Sequence, residues 1–152
     1  MSALRTILRY WLWVMVALIV LQIAFAGYGA FDTAEKVSNG SIHEKAFEDS
    51  FGLHAGLGYL VVLGGLITLL LALAARPGRR RVLHALGIFV LLIVQVVLAW
   101  TGFEVPAVGA LHPVNAVLIL GAVLALGYRL RKDEEAGRMG GATIAPPPSA
   151  AA

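Results

Sequence analysis

In a chain of 152 residues that is 59% hydrophobic and only 14% charged, polar surface is too scarce to cover a water-soluble domain, in which about a quarter of residues are charged. The net charge of +3 comes from basic residues gathered at the ends of apolar runs, a pattern that orients a protein in a bilayer and gives no reason to expect a nucleic-acid partner. The lack of cysteine excludes disulfides, thiolate metal sites and cysteine nucleophiles.

Four stretches hold no Asp, Glu, Lys or Arg: 10–31, 51–75, 82–103 and 105–128. A helix rising ~1.5 Å per residue needs roughly 20 residues to cross a hydrocarbon core of ~30 Å, so each can span as a helix. Barrel strands would alternate apolar and polar residues over roughly 10 positions, and these stretches do not. The expected fold is an all-α, integral membrane, up-down four-helix bundle over residues 1–132, with spans at about 10–31, 51–75, 82–103 and 108–129. Its lipid partner is the bilayer itself.

The first span follows Arg5 and Arg9. Two arginines, an apolar run and Ala24-Phe25-Ala26 also outline a cleavable signal peptide. Against that, the run continues to Phe31, and Tyr10, Trp11 and Trp13 form an interfacial aromatic belt. The segment from Asp32 to Ser50 is polar, and a short amphipathic helix at the interface is expected within it. The second span leads to Arg76-Pro77-Gly78-Arg79, a tight turn by its Pro and Gly. With Arg80 and Arg81 it joins the second and third spans. A short link from Trp100 to Ala110 precedes the fourth span, which Arg129, Arg131 and Lys132 close. Keeping these nine basic residues on the cytoplasmic side puts both termini inside and the Asp32–Ser50 loop outside. From Gly137 onward, and by composition over 133–152, a disordered tail is expected, ending in Pro146-Pro147-Pro148.

Strongly polar residues inside a span are expensive and mark candidate sites. Here they are Gln22, His54, His84, Gln95, His112 and Asn115. His54 opens the second span and His112 the fourth, so both lie towards the outer face on helices that are diagonal in an up-down bundle. Two imidazoles at one depth on diagonal helices form an axial pair for haem iron, with the porphyrin between helices. Gly58, Val61 and Gly65 share the face of His54, leaving room for a flat macrocycle or a close helix contact. Ala116, Ile119 and Val123 continue the face of His112, with Asn115 at its edge. Pro113 is expected to start regular helix, leaving His112 on a constrained backbone.

Plainer readings stand beside these. The histidines can be half-hydrated interfacial residues, and Gly52 with Gly56 can be a small-residue packing pair. His84 is read as interfacial, His43 as solvated, and Gln22 with Gln95 as helix–helix glue that pairs across the core. No nucleophile–base pair, phosphate loop or intramembrane carboxylate pair is present, so an enzyme is not the leading expectation.

The sequence from Gln95 through Trp100, Thr101 and Gly102 to Val105-Pro106, followed by Gly109-Ala110-Leu111-His112-Pro113-Val114-Asn115-Ala116, resembles helices three and four of one half of heme A synthase. Leu53-His54-Ala55-Gly56-Leu57-Gly58-Tyr59 is similar to the histidine-bearing start of that enzyme's second helix. Over residues 8–130 the chain also looks like a member of an uncharacterised family of small bacterial four-helix membrane proteins, which implies the bacterial inner membrane. The resemblance implies haem ligation by His54 and His112. It departs where Phe51 replaces the enzyme's glutamate, and where its cysteine pair and second bundle are missing, so haem oxygenation is not implied. Two functions follow as expectations: a b-type haem protein for electron transfer or haem handling, working with a redox or membrane-complex partner, or a cofactor-free accessory subunit of a membrane complex.

Overall fold

A computed structural model describes the backbone of residues 3–41 and 45–142, with side chains through Met139. Helices α1 (Ala3–Ser38), α2 (Ala46–Ala75), α3 (Arg79–Glu104), α4 (Pro106–Gly109, one turn) and α5 (Leu111–Ala142) follow in order. Four of the helical segments are long and apolar enough to cross a membrane, α4 running into α5 as one of them. In lipid every backbone N–H and C=O must be paired within its own segment, and unbroken helix satisfies that condition.

The chain is a multi-pass membrane protein with an all-α, four-helix bundle fold. Each long helix packs on its two sequence neighbours around the ring, α1 closing on α5, while α1–α3 and α2–α5 face one another diagonally without backbone contact. Inward positions recur every three or four residues. On α1 they are Leu8, Leu12, Met15 and Ile19; on α3, Ala85, Ile88 and Leu92; on α5, Asn115, Ile119, Val123, Leu126 and Leu130. Many other leucines, valines and aromatics, among them Leu60, Leu63, Val97 and Leu118, point outward, where only lipid can accept them. On α2, Gly64 and Gly65 let neighbours close in: a Cβ would lie 2.5 Å from Met15 Sδ at the first and would collide with a Leu92 methyl at the second. Small residues allow such approach where lipid tails compete equally for apolar contact.

The Arg76–Gly78 link is the tight turn expected. Arg76 takes a left-handed conformation (φ 47°), its N–H reaching Ala72 O, and Gly78 sits at φ 103°. Arg5 of α1 donates to the carbonyls of Ala75 and Arg76, capping the end of α2.

Three connections differ from the sequence reading. Residues 32–38 continue α1 and 46–50 already belong to α2, so the described part of this segment has no separate interfacial helix. Lys36 bridges Asp32 and Ser50, tying the two helix ends together. Regular α5 starts at Leu111, placing His112 in its first turn, two residues earlier than Pro113 suggested. The last helix also continues to Ala142 instead of giving way at 133. Glu134 holds Arg9 at 2.7 Å and Asp133 holds Arg81 in a two-point pair, so carboxylates just past the span anchor the extension. Residues 143–152 and His43 lie outside the described residues.

The two hairpins, α1–α2 and α3–α5, repeat one register. Aligning Gln22 with Gln95 and His54 with His112 superposes buried Leu12, Met15 and Ile19 on buried Ala85, Ile88 and Leu92. It likewise superposes Leu57, Val61, Thr68 and Ala72 on Asn115, Ile119, Leu126 and Leu130, all of them buried.

Candidate histidine site

The most polar part of the interior is made of the same unit twice. In the first hairpin the Gln22 amide N–H donates to the His54 carbonyl at 2.8 Å, and His54 Nδ1 meets the Gln22 carbonyl at 3.0 Å. In the second, the Gln95 amide N–H donates to the His112 carbonyl at 3.0 Å, and His112 Nδ1 meets the Gln95 carbonyl at 3.1 Å. A carbonyl only accepts, so Nδ1 is the donor in each ring, which in a neutral imidazole leaves the lone pair on Nε2. Each glutamine and histidine thus clamp two antiparallel helices and fix one ring's tautomer and direction.

The clamps bring the rings together. The His54 and His112 centroids are 6.1 Å apart at an interplanar angle of 63°. Both histidines are half-buried. The diagonal placement read from the sequence is the one found. Phe51 stands edge-on to His54 at 6.1 Å, stacks on Phe47 at 4.4 Å, and Phe47 meets Phe103 edge-on at 5.5 Å. These phenylalanines form a chain of ring contacts running from His54 to the end of α3. The sequence reading notes Phe51 only as a departure from heme A synthase and does not single out Phe47 or Phe103, because the contact that brings these two together joins different helices.

The units are not identical. Asn115 donates to Gln95 Oε1 at 2.7 Å and to the Leu91 carbonyl at 2.9 Å. In the first unit that register position is Leu57, and Gln22 Oε1 is buried with no partner. Asn115, a candidate contact to a cofactor by sequence, spends its amide on α3. Gln22 Nε2 also lies 3.4 Å from His54 Nε2, whereas the Gln95 amide is given only to the His112 carbonyl.

The other sequence candidates fall elsewhere. Gln22 and Gln95 do not pair with each other, because α1 and α3 are diagonal. Gly58 shares the face of His54 as expected, but its open side is filled by Gln22, whose Nε2 would lie 3.1 Å from an added Cβ. Gly65 is likewise closed by Leu92. Gly52 and Gly56 have nothing within 4 Å, so they are not packing sites inside this bundle. His84 meets Arg129 at 3.3 Å at the arginine-rich end, far from the other rings. It occupies the register position of Trp11, whose indole N–H bonds the Gly64 carbonyl and Thr68. No group of three or more His, Cys, Asp or Glu side chains that could hold a metal occurs among the described residues.

A family model described as a family of unknown function (DUF6220) matches residues 22–102, which spans more than half of the chain, and the chain belongs to that family. The curated proteins and the solved structures compared with it gave no match.

Proposed function

We propose that this DUF6220 family member is a membrane haem protein, holding one b-type haem between α2 and α5 with His54 and His112 as axial ligands. The observation that carries this reading is the pair of imidazoles on diagonal helices, each held through Nδ1, with 6.1 Å between centroids. Two metal–nitrogen bonds of about 2 Å, with each ring centre roughly 1.1 Å behind its nitrogen, would put the centroids about 6.2 Å apart if both histidines held one metal. The donor count fits as well. Two neutral histidines are too few for a closed four-ligand zinc site, but haem brings four nitrogens of its own and asks the protein for two.

The Nδ1–H bonds to backbone carbonyls are the kind that orient metal-bound histidines and make them more basic. With both ends of the pair anchored to neighbouring helices, neither ring can turn without breaking a clamp. Asn115 locks Gln95 and so steadies His112. Gly58 leaves the space through which Gln22 reaches His54. Phe51 packs edge-on against His54 and supports that ring from the side. When bound, haem would supply a one-electron couple, which suits electron transfer or haem handling.

One observation favours a second reading, a cofactor-free accessory subunit. The Gln22 amide at 3.4 Å can give its second proton to His54 Nε2, which would leave one imidazole satisfied within the protein. In that case the clamps are helix–helix glue alone.

Purified chain in detergent, titrated with hemin and then reduced, separates the two. The haem reading expects a Soret band and the sharp reduced α-band of six-coordinate low-spin iron. His54→Ala and His112→Ala should each abolish the low-spin spectrum, and His84→Ala should keep it. Absence of a spectral shift, or a His54→Ala/His112→Ala double variant that binds like the parent, would overturn the assignment in favour of the accessory subunit.

A further inference from the structure

The seam between α1 and α5 opens, at the arginine-rich end, into a groove of about 510 Å³. That is within the range of small-ligand sites, roughly 300–1,000 Å³. Its floor is apolar, with Leu12 and Val16 on one wall and Val123 and Gly127 on the other. Its rim carries Tyr10, Trp13, Tyr128, Arg9 and Arg131.

The repeated register provides an internal control. The matching seam, between α2 and α3, has Leu69 where this one has Gly127, and Phe89 and Leu92 close against Gly65 there. At Gly127 the nearest atom to an added Cβ is a Leu12 methyl, 3.9 Å away. The rim changes character too: Tyr10, Trp13, Tyr128 and Arg131 stand in the register of Leu83, Leu86, Leu70 and Leu73. One seam is therefore closed by Phe89 and aliphatic side chains, while its counterpart is hollow and edged with aromatic and cationic groups.

The cations retain donors. Arg9 uses Nη1 on Glu134, and its guanidinium lies 5.5 Å from the Tyr10 ring centre. Arg131 has only a 3.5 Å contact to Glu135, both side chains more than half exposed, and lies 6.0 Å from the Tyr128 ring centre. A guanidinium offers five N–H groups, so each can still meet phosphate oxygens. Tyrosine and tryptophan at this level match headgroup depth.

We propose that this groove is a binding site for an anionic glycerophospholipid. One acyl chain would lie on the Leu12–Gly127 floor, and the phosphate would sit between Arg9 and Arg131. Basic pockets between transmembrane helices recognise acidic headgroups in this way. The site does not depend on the histidine pair.

The test is native mass spectrometry of the full chain from detergent micelles, titrated in parallel with phosphatidylglycerol and phosphatidylcholine. One phosphatidylglycerol should be retained at collision energies that strip phosphatidylcholine. Arg131→Gln should lower retention of phosphatidylglycerol about fivefold, the worth of one basic residue near an acidic lipid. Gly127→Leu, which copies Leu69, should abolish it while leaving the melting temperature unchanged, and Gly56→Leu at the opposite end should bind as the parent does. Equal retention of the two lipids, or parental binding by both Arg131→Gln and Gly127→Leu, would overturn the proposal. Should Gly127→Leu fail to fold, Arg131→Gln alone decides.

Discussion

Replacing Asn115 with leucine tests whether the clamps are ordered from outside. Asn115 is 5% exposed and makes two hydrogen bonds, to the Leu91 carbonyl and to Gln95 Oε1. Interhelical hydrogen bonds in membranes average about 0.6 kcal/mol and reach about 1.7, so losing two should cost about 1–3 kcal/mol. Packing should contribute little, because Leu57 fills the same register position in the first hairpin. The substitution in effect gives the second clamp the first one's defect, an unpartnered glutamine oxygen. Equilibrium unfolding in mixed micelles measures the loss. A cycle with Gln95→Leu should assign at least half of it to the Asn115–Gln95 pair. In the haem reading, the loosened His112 ring should also weaken hemin affinity about 10–100-fold, the usual scale for removing an outer support of a ligand. Stability unchanged within about 0.3 kcal/mol, or no coupling in the cycle, would refute the reasoning, since neither fits a buried amide bonded at 2.7 Å.

Gly102→Ala should lower stability by about 1–3 kcal/mol, as overpacking does, because its Cβ would stand 2.7 Å from the Gly109 backbone; Gly121→Ala, with nothing within 4 Å, serves as the neutral comparison in a thermal melt. Glu134→Gln should cost about 1 kcal/mol, the upper range for a partly exposed pair, since its side chain is only 10% exposed beside Arg9; unfolding at high salt should narrow the difference, and a neutral result would mean the extension of α5 is not anchored there. Protease access to terminal tags in oriented vesicles should find both ends on the side of the nine flanking basic residues and the loop around residue 40 on the other; tags cleaved from the opposite side would reverse the orientation.

The four spans were legible because lipid imposes a simple demand: about 20 apolar residues in unbroken helix. The diagonal placement of His54 and His112 followed from span order alone. What could not be read was the partner of each polar residue. Gln22 and Gln95 looked like a pair since both sit mid-span, yet helix order puts them on opposite corners, and only backbone proximity identifies the histidine carbonyls as their partners. Gly58 was correctly placed on the face of His54, but periodicity cannot say whether a glycine opens a cavity or admits a neighbour. The end of α5 was misjudged for a different reason. Residues 133–139 lack apolar periodicity, and their helix is held by Asp133 and Glu134 against arginines far away in sequence, contacts that local composition does not reveal.

The left-handed turn at Arg76 separates two matched hairpins, each with one complete clamp and one clamped histidine. A chain severed there would yield fragments that can enter the bilayer independently, two helices at a time, with every glutamine–histidine bond already formed inside its own fragment. The approach of the rings to 6.1 Å is then, with the α2–α3 and α1–α5 packing, a feature that neither fragment can make. Co-expressed halves carrying spectroscopic labels near residues 54 and 112 would report assembly directly, because encounter of the labels and completion of the fold are the same event.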